Sequence, residues 1–296
     1  MRFGISTHLY HDRPLGPEHL RELAEFGFRQ VELFATIGHV DYHDLSAIEA
    51  LAGWLRDARL ELHSVHAPIV DHRLNREWGA PLSTADSAEQ ARQLAVAECL
   101  AALQVARTIP FRFLVVHLGL PDELKPAAGA NSRQAAQRSI EEIAAAATPL
   151  GVQVAVEVIP NKLSAARALV RLVEEDLELP APGVGICLDM GHAFLMGDLV
   201  DAIEIVSGEL VTTHVHDNRG TGDDHLVPFD GKIDWPTALM SLEKVGYEGL
   251  IMFELANTST PREVLEKTVE VRRRFEAVLA PSHVLPPLPP ECPGPE

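Results

Sequence analysis

The chain has 296 residues, 46% of them hydrophobic, with 43 acidic against 25 basic side chains and a formal net charge of −18. That balance argues against the broad positive footprint of a general nucleic-acid binder, and no apolar run approaches the roughly 20 residues of a transmembrane helix. There is no basic-then-apolar leader, and the three cysteines, Cys99, Cys187 and Cys292, have no spacing that suggests a zinc site or a disulfide framework, so a cytoplasmic chain in a reducing compartment is expected.

Strand-like and helix-like segments alternate throughout. RFGIST, from Arg2, precedes a helical stretch from Pro17 to Phe26, punctuated by Pro at its start and Gly27 after its end. QVELF, ending at Phe34, is followed by a helix from Asp44 to Ala58, and LELHSVH ends at His66. An irregular segment from Ala67 to about Ser83 carries Trp78 and Gly79 and is a candidate lid. A helix predicted from Thr84 to Ala106 leads to FRFLVVH, ending at His117, and to a helix from Ser132 to Ala147. VQVAVE ends at Glu157, with a helix from Ser164 to Glu175. VGICLD ends at Asp189, with helical signal from Asp198 to Val206. LVTTH ends at His214, and a long loop from Asn218 to Ile233 precedes a helix starting near Trp235. LIMFE ends at Glu254, and a helix from Pro261 to Leu279 closes the series.

Eight β-then-α units predict a parallel sheet closed into a single (β/α)8 TIM barrel over 1–279, a fold that needs roughly 250 residues. An open doubly wound sheet is disfavoured because no Gly-rich fingerprint follows the first strand. The Pro-rich stretch 280–296, with its PPLPP, is expected to be a disordered or extended tail.

Charged residues close several of these apolar runs. A parallel strand buried on both faces should be apolar throughout, so a carboxylate or imidazole at its last position belongs to the mouth of the barrel. Glu157, Asp189, His214 and Glu254, from four strands, make an O/N ligand set for a divalent ion. His66 and His117 end two further strands, His192 lies three residues after Asp189, and Asp223 and His225 lie in the loop after the seventh strand. Carboxylates gathered at one mouth would repel one another without a cation. A strand-end His can equally be a hydrogen-bonded structural residue. His8 and Glu32 lie on early strands. His216, in HVHDN, points the same way as His214 by alternation, and Arg219 is the nearest anion-binding group on that loop.

Taken together, SVHAP, FLVVHLG, VAVEVIPN, CLDMGHA, HVHDN, DDHLVPFDGKIDW and FELA resemble the xylose-isomerase-like TIM barrels, the superfamily that joins sugar isomerases and epimerases with endonuclease IV. In the sugar-acting branch the resemblance implies one divalent ion (Mn, Zn, Mg or Co) held by Glu157, Asp189, His214 and Glu254. It also implies acid–base roles for Glu157 and Glu254 and a substrate contact for His192; His66, His117, His216 and Arg219 are further candidate substrate contacts. In the nuclease branch it implies three zincs held by a set that adds His66, His117, His192, Asp223 and His225.

The departures favour the sugar branch. HAPIVDH has Ile69 where the nuclease resemblance implies an aromatic, and ATIGHVDYHD lacks Arg and Lys, although a phosphodiester binder needs cations. Arg219 falls one position short of the spacing that the epimerase resemblance implies. The expectation is a metal-dependent isomerase or epimerase acting on a small carbohydrate through an enediolate, with no membrane or nucleic-acid partner and homo-oligomers common among such barrels. The alternatives are an endonuclease IV-like zinc phosphodiesterase acting at abasic sites and a sugar-derivative lyase or dehydratase.

Overall fold

A computed structural model describes residues 2–74, 77–177 and 183–280. The predicted tail, apart from Ala280, and Cys292 lie outside the described residues. Eight parallel strands close into a barrel. In chain order they are β1 (Arg2–Ser6), β2 (Gln30–Phe34), β3 (Glu61–His66), β6 (Phe113–His117), β7 (Gln153–Glu157), β8 (Val184–Asp189), β9 (Leu210–Val215) and β10 (Leu250–Phe253). The ring closes where β1 pairs with β10, Arg2 opposite Leu250 and Ile5 opposite Phe253. The predicted TIM barrel is the observed fold.

Helices α1 (Pro17–Glu25), α2 (Leu45–Ala58), α3 (Glu89–Leu103), α4 (Arg133–Ala147), α5 (Ala166–Arg171), α6 (Met190–Met196), α7 (Leu199–Val206), α8 (Trp235–Lys244) and α9 (Pro261–Leu279) surround the strands. None is long and apolar enough to cross a membrane. Their starts follow local chemistry. Asp44, Ser132, Asp198 and Asp234 each accept a backbone N–H of the first turn, and Thr260 with Glu263 forms a reciprocal capping box. Phe275 of α9 packs among Phe3, Phe253 and Trp235, which seals the helix over the closing strand pair.

Three departures from the sequence reading have local causes. The helix predicted from Thr84 begins at Glu89, because the Ser83 hydroxyl donates to Ala130 O at 2.6 Å and the Thr84 hydroxyl to His117 O at 2.8 Å, which spends these residues on loop anchoring. The irregular segment after β3 contains a two-stranded hairpin, β4 (Arg73–Leu74) with β5 (Glu77–Trp78). An additional helix, α6, follows β8 directly, because Asp189 caps it by accepting the His192 N–H at 2.6 Å.

Candidate functional site

Strand register brings the strand-end donors to one rim. His117 is paired with Glu157 across β6 and β7, and Asp189 with His214 across β8 and β9. Glu254 follows β10, and its N–H donates to Val215 O at 3.2 Å. The candidate ligand atoms of Glu157, Asp189, His214 and Glu254 lie within 4.8 Å of one another, and all four residues are buried. Two further groups flank this one: His66 and His117 with the shared Glu157, and His192, His216, Asp223 and His225. The structure thus gathers all nine of the strand-end and loop donors singled out in the sequence.

The hydrogen-bond directions bear on whether these groups suit a cation. The Nδ1 atoms of His66, His192 and His225 lie 2.8, 3.1 and 3.0 Å from the carbonyl oxygens of Ala67, Val158 and Glu254. A carbonyl only accepts, so Nδ1 carries the hydrogen and Nε2 turns toward the carboxylates. Nε2 of both His66 and His117 lies 3.2 Å from Glu157 Oε2, yet that buried oxygen accepts no well-directed hydrogen bond. Lone pairs that face one another at this range need a proton or a cation between them. An O/N donor set of this kind fits a divalent ion.

Without an ion, a proton on His66 serves that purpose, whereas burial holds His117 below its ordinary value. Burial opposes charge on His66, but Glu157 outweighs it and holds the imidazole up at about 9. Burial likewise opposes charge on His225, where Asp223 prevails and lifts it to about 10. His192 and His214 are raised well above 6.5 against the same desolvation, chiefly by Asp189 and by the Cys187 and Glu32 groups respectively. Burial by itself would raise Glu157; the surrounding His214 and His117 hold it well below the usual carboxylate range.

Glu32 explains the orientation of His214. It lies on the inward row of β2, paired with Ser64, whose hydroxyl donates to Glu32 Oε2 at 2.8 Å. The same oxygen accepts from His214 Nε2 at 3.0 Å. That contact turns His214 Nδ1 toward Glu157 at 3.2 Å and Glu254 at 3.4 Å, the arrangement by which an outer carboxylate fixes the tautomer of a metal-ligating histidine. The charge of Glu32 within an apolar strand was the signal available in the sequence.

Asp217 has an equivalent role for the loop after β9. Its buried carboxylate accepts the N–H groups of Phe229, Lys232 and Ile233, and the Trp235 indole N–H at 2.8 Å. The loop folded around it presents Asp223 and His225. A side chain at Gly231 would collide with that carboxylate. Adjacency to His214 and His216 hid Asp217 in the sequence reading.

The donors open on a cavity of about 480 Å³, lined by His66, His117, His192, Asp223, His225 and Glu254 on its floor and by Phe34, Ile69, Leu82 and Leu120 on its walls. Trp78, 46% exposed, stands at this cavity on the hairpin. His216 is buried beneath the floor, with Nε2 3.0 Å from Asp189 and its ring stacked on His225 at 3.9 Å. Gly191 leaves room for that ring, which a side chain there would strike. Arg219 is not brought in: its side chain is exposed, lies 3.6 Å from Asp224 and does not line the cavity.

Fold and site together define a (β/α)8 barrel with a carboxylate–imidazole cluster at the C-terminal mouth of its strands. The sequence profile of the xylose isomerase-like TIM barrel matches residues 20–275, and the chain belongs to that family. An uncharacterised protein, MJ1311, of Methanocaldococcus jannaschii is 28% identical over 284 residues, covering 92% of this chain and 90% of the relative. A D-tagatose 3-epimerase-like protein superposes with a TM-score of 0.76 at 24% identity, covering 94% of this chain and 98% of its own. A family 2 AP endonuclease from Brucella melitensis superposes with a TM-score of 0.67 at 25% identity, covering 89% and 96%.

Proposed function

We propose that the chain is a divalent-metal-dependent isomerase or epimerase of a sugar or sugar derivative, working through an enediolate by proton transfer between Glu157 and Glu254. The observation that carries this reading is the convergence of Glu157, Asp189, His214 and Glu254 within 4.8 Å, with Glu254 reaching the floor of a small-molecule-sized cavity. The likeness to a D-tagatose 3-epimerase-like protein supports it.

Glu157, Asp189, His214 and Glu254 would hold the ion. A bound divalent ion polarises a carbonyl and offsets negative charge that develops beside it. Glu254 lines the cavity and takes the proton from the carbon next to the carbonyl. Glu157 is the second carboxylate of the transfer: it carries a proton when it reprotonates the enediolate at the neighbouring carbon or on the opposite face and ends ionised, the form its histidines favour, while Glu254 ends protonated. His66, His117 and His192 border the same space and hold the reacting end of the substrate.

The test is exchange of carbon-bound hydrogen with deuterated water by the metal-loaded protein, using D-tagatose, D-fructose and inososes. Exchange beside the carbonyl of at least one is expected. Glu254→Gln should fold normally and slow exchange by about 10²–10⁴-fold, the usual worth of a positioned proton-transfer group. Full activity in that variant removes Glu254 from the role, and no exchange with any carbonyl sugar removes the reading.

One observation favours a second reading. The donors form overlapping groups, and three of these, Glu157 with Asp189, His214 and Glu254, Glu157 with His66 and His117, and His192 with His216, Asp223 and His225, would suit three zinc ions and a phosphodiesterase acting at abasic sites. About three zincs per chain together with incision of an abasic duplex would establish it. A sugar-derivative lyase or dehydratase would share the first proton abstraction and be distinguished by loss of water or a leaving group from the substrate.

A further inference from the structure

Beyond the donor cluster, the cavity has a second polar wall whose chemistry is set by backbone geometry. β1 runs directly into a single 3-10 turn, Thr7–Tyr10. In such a turn positions three apart eclipse, so His8 and His11 stack, with ring centroids 4.6 Å apart and planes within 9°. Trp78 continues the stack over His11 at 5.5 Å and 12°, and the Arg73 guanidinium lies 3.9 Å from the indole. Phe34 meets His8 edge-on at 4.9 Å. The two imidazoles are therefore held in place before any ligand arrives.

Their tautomers are held as well. His8 Nδ1 lies 3.2 Å from Leu255 O, and His11 Nδ1 lies 2.8 Å from His8 O. Both partners are carbonyls, so each Nδ1 donates and, in the neutral ring, each Nε2 is the nitrogen left to accept. Both rings line the cavity. A neutral Nε2 accepts from a hydroxyl group and repels a phosphate oxygen. Among the described lining residues the carboxylates of Glu123, Asp223, Asp224 and Glu254 act in the same sense, while the raised His66, His192 and His225 carry the positive charge of the floor.

We propose that His8 and His11 form a hydrogen-bond-acceptor subsite that reads hydroxyl groups at the non-reacting end of an uncharged, polyhydroxylated substrate. This rests on the isomerase or epimerase reading for what happens at the other end of the substrate, but binding alone tests it. In the folded, metal-loaded protein, 15N spectra of the histidine side chains are recorded during titration with D-fructose, D-tagatose, myo-inositol and D-fructose 6-phosphate, with signals assigned by their loss in His8→Phe and His11→Phe. Both variants keep a ring for the stack, and metal content serves as the check on folding.

The expected result is two unprotonated Nε2 signals that move on addition of at least one neutral polyol and not on addition of the phosphate ester. Each variant should weaken binding of that polyol about tenfold, the order of one lost hydrogen bond, with metal content unchanged. Where turnover is measurable, KM should rise while kcat is retained. Protonated Nε2 in the free protein, no response to any of the three polyols, or wild-type polyol affinity in His11→Phe overturns the subsite. A histidine response without proton exchange would sink the isomerase reading and leave the subsite standing. Proton exchange with unaltered variants would do the reverse.

Discussion

Glu157 has an imidazole nitrogen of His66, His117, His192 and His214 within 3.5 Å, so its carboxylate and the histidines around it compete for the same protons or the same ion. The sign of the resulting pH dependence follows from the raised histidines. In the metal-free protein, protonation of His66 and His225 contributes stability that is fully present below the unfolded value of 6.5 and is lost as the pH rises through about 9 and about 10. The unfolding midpoint of metal-stripped protein should therefore fall from about pH 6.5 to about pH 10. Metal affinity should rise over the same interval as protons leave the ligands. A flat midpoint in urea titrations across that window would contradict the assignment. Glu32 permits a sharper test at this scale. Glu32→Gln leaves the volume intact but weakens the acceptor for His214 Nε2, and metal affinity measured against a chelator should drop about 10–100-fold, as for other partners that orient a ligating histidine. Unchanged affinity would mean that Glu32 does not set the tautomer of His214.

Single elements position these residues, and the loop after β9 shows how. Asp217 collects the loop's backbone N–H groups and the Trp235 indole N–H onto one buried carboxylate, which converts a long polar segment into a fixed carrier for Asp223 and His225. Asp217→Asn removes the charge and replaces an acceptor oxygen with a donor facing N–H groups. It should cost about 2–4 kcal/mol of stability from unsatisfied buried donors, read as a shift of the urea midpoint, and should loosen the group formed by His192, Asp223 and His225. A loss below about 0.5 kcal/mol would show that the loop holds itself by other means. This element also marks where the sequence stops being legible. The strand-end donors could be read because a charge interrupts a run that burial on both faces requires to be apolar. Asp217, on a polar stretch, interrupts nothing. His11 was invisible for a different reason: its place at the cavity depends on a 3-10 turn, and a two-residue hairpin strand supplies the Trp78 that stacks on it. The start of α3 was misjudged because Ser83 and Thr84 are used through their side chains.

At the scale of the molecule, the closed barrel turns eight separate strand ends into one convergent rim. That is why the fold class and the donor cluster could both be anticipated, whereas the choice among neighbouring sugar chemistries, set by loops of individual shape, could not. A barrel with so many acidic groups at its mouth should be more stable with an ion bound. At a free-ion concentration about 100 times Kd the gain is about 2.7 kcal/mol, so chelation should lower Tm by several degrees and metal should restore it. The most direct measurement is anomalous diffraction at the absorption edges of manganese and zinc from crystals of the metal-loaded protein. The account predicts a peak bounded by Glu157, Asp189, His214 and Glu254; fully loaded crystals with those four side chains resolved and no peak between them would contradict it.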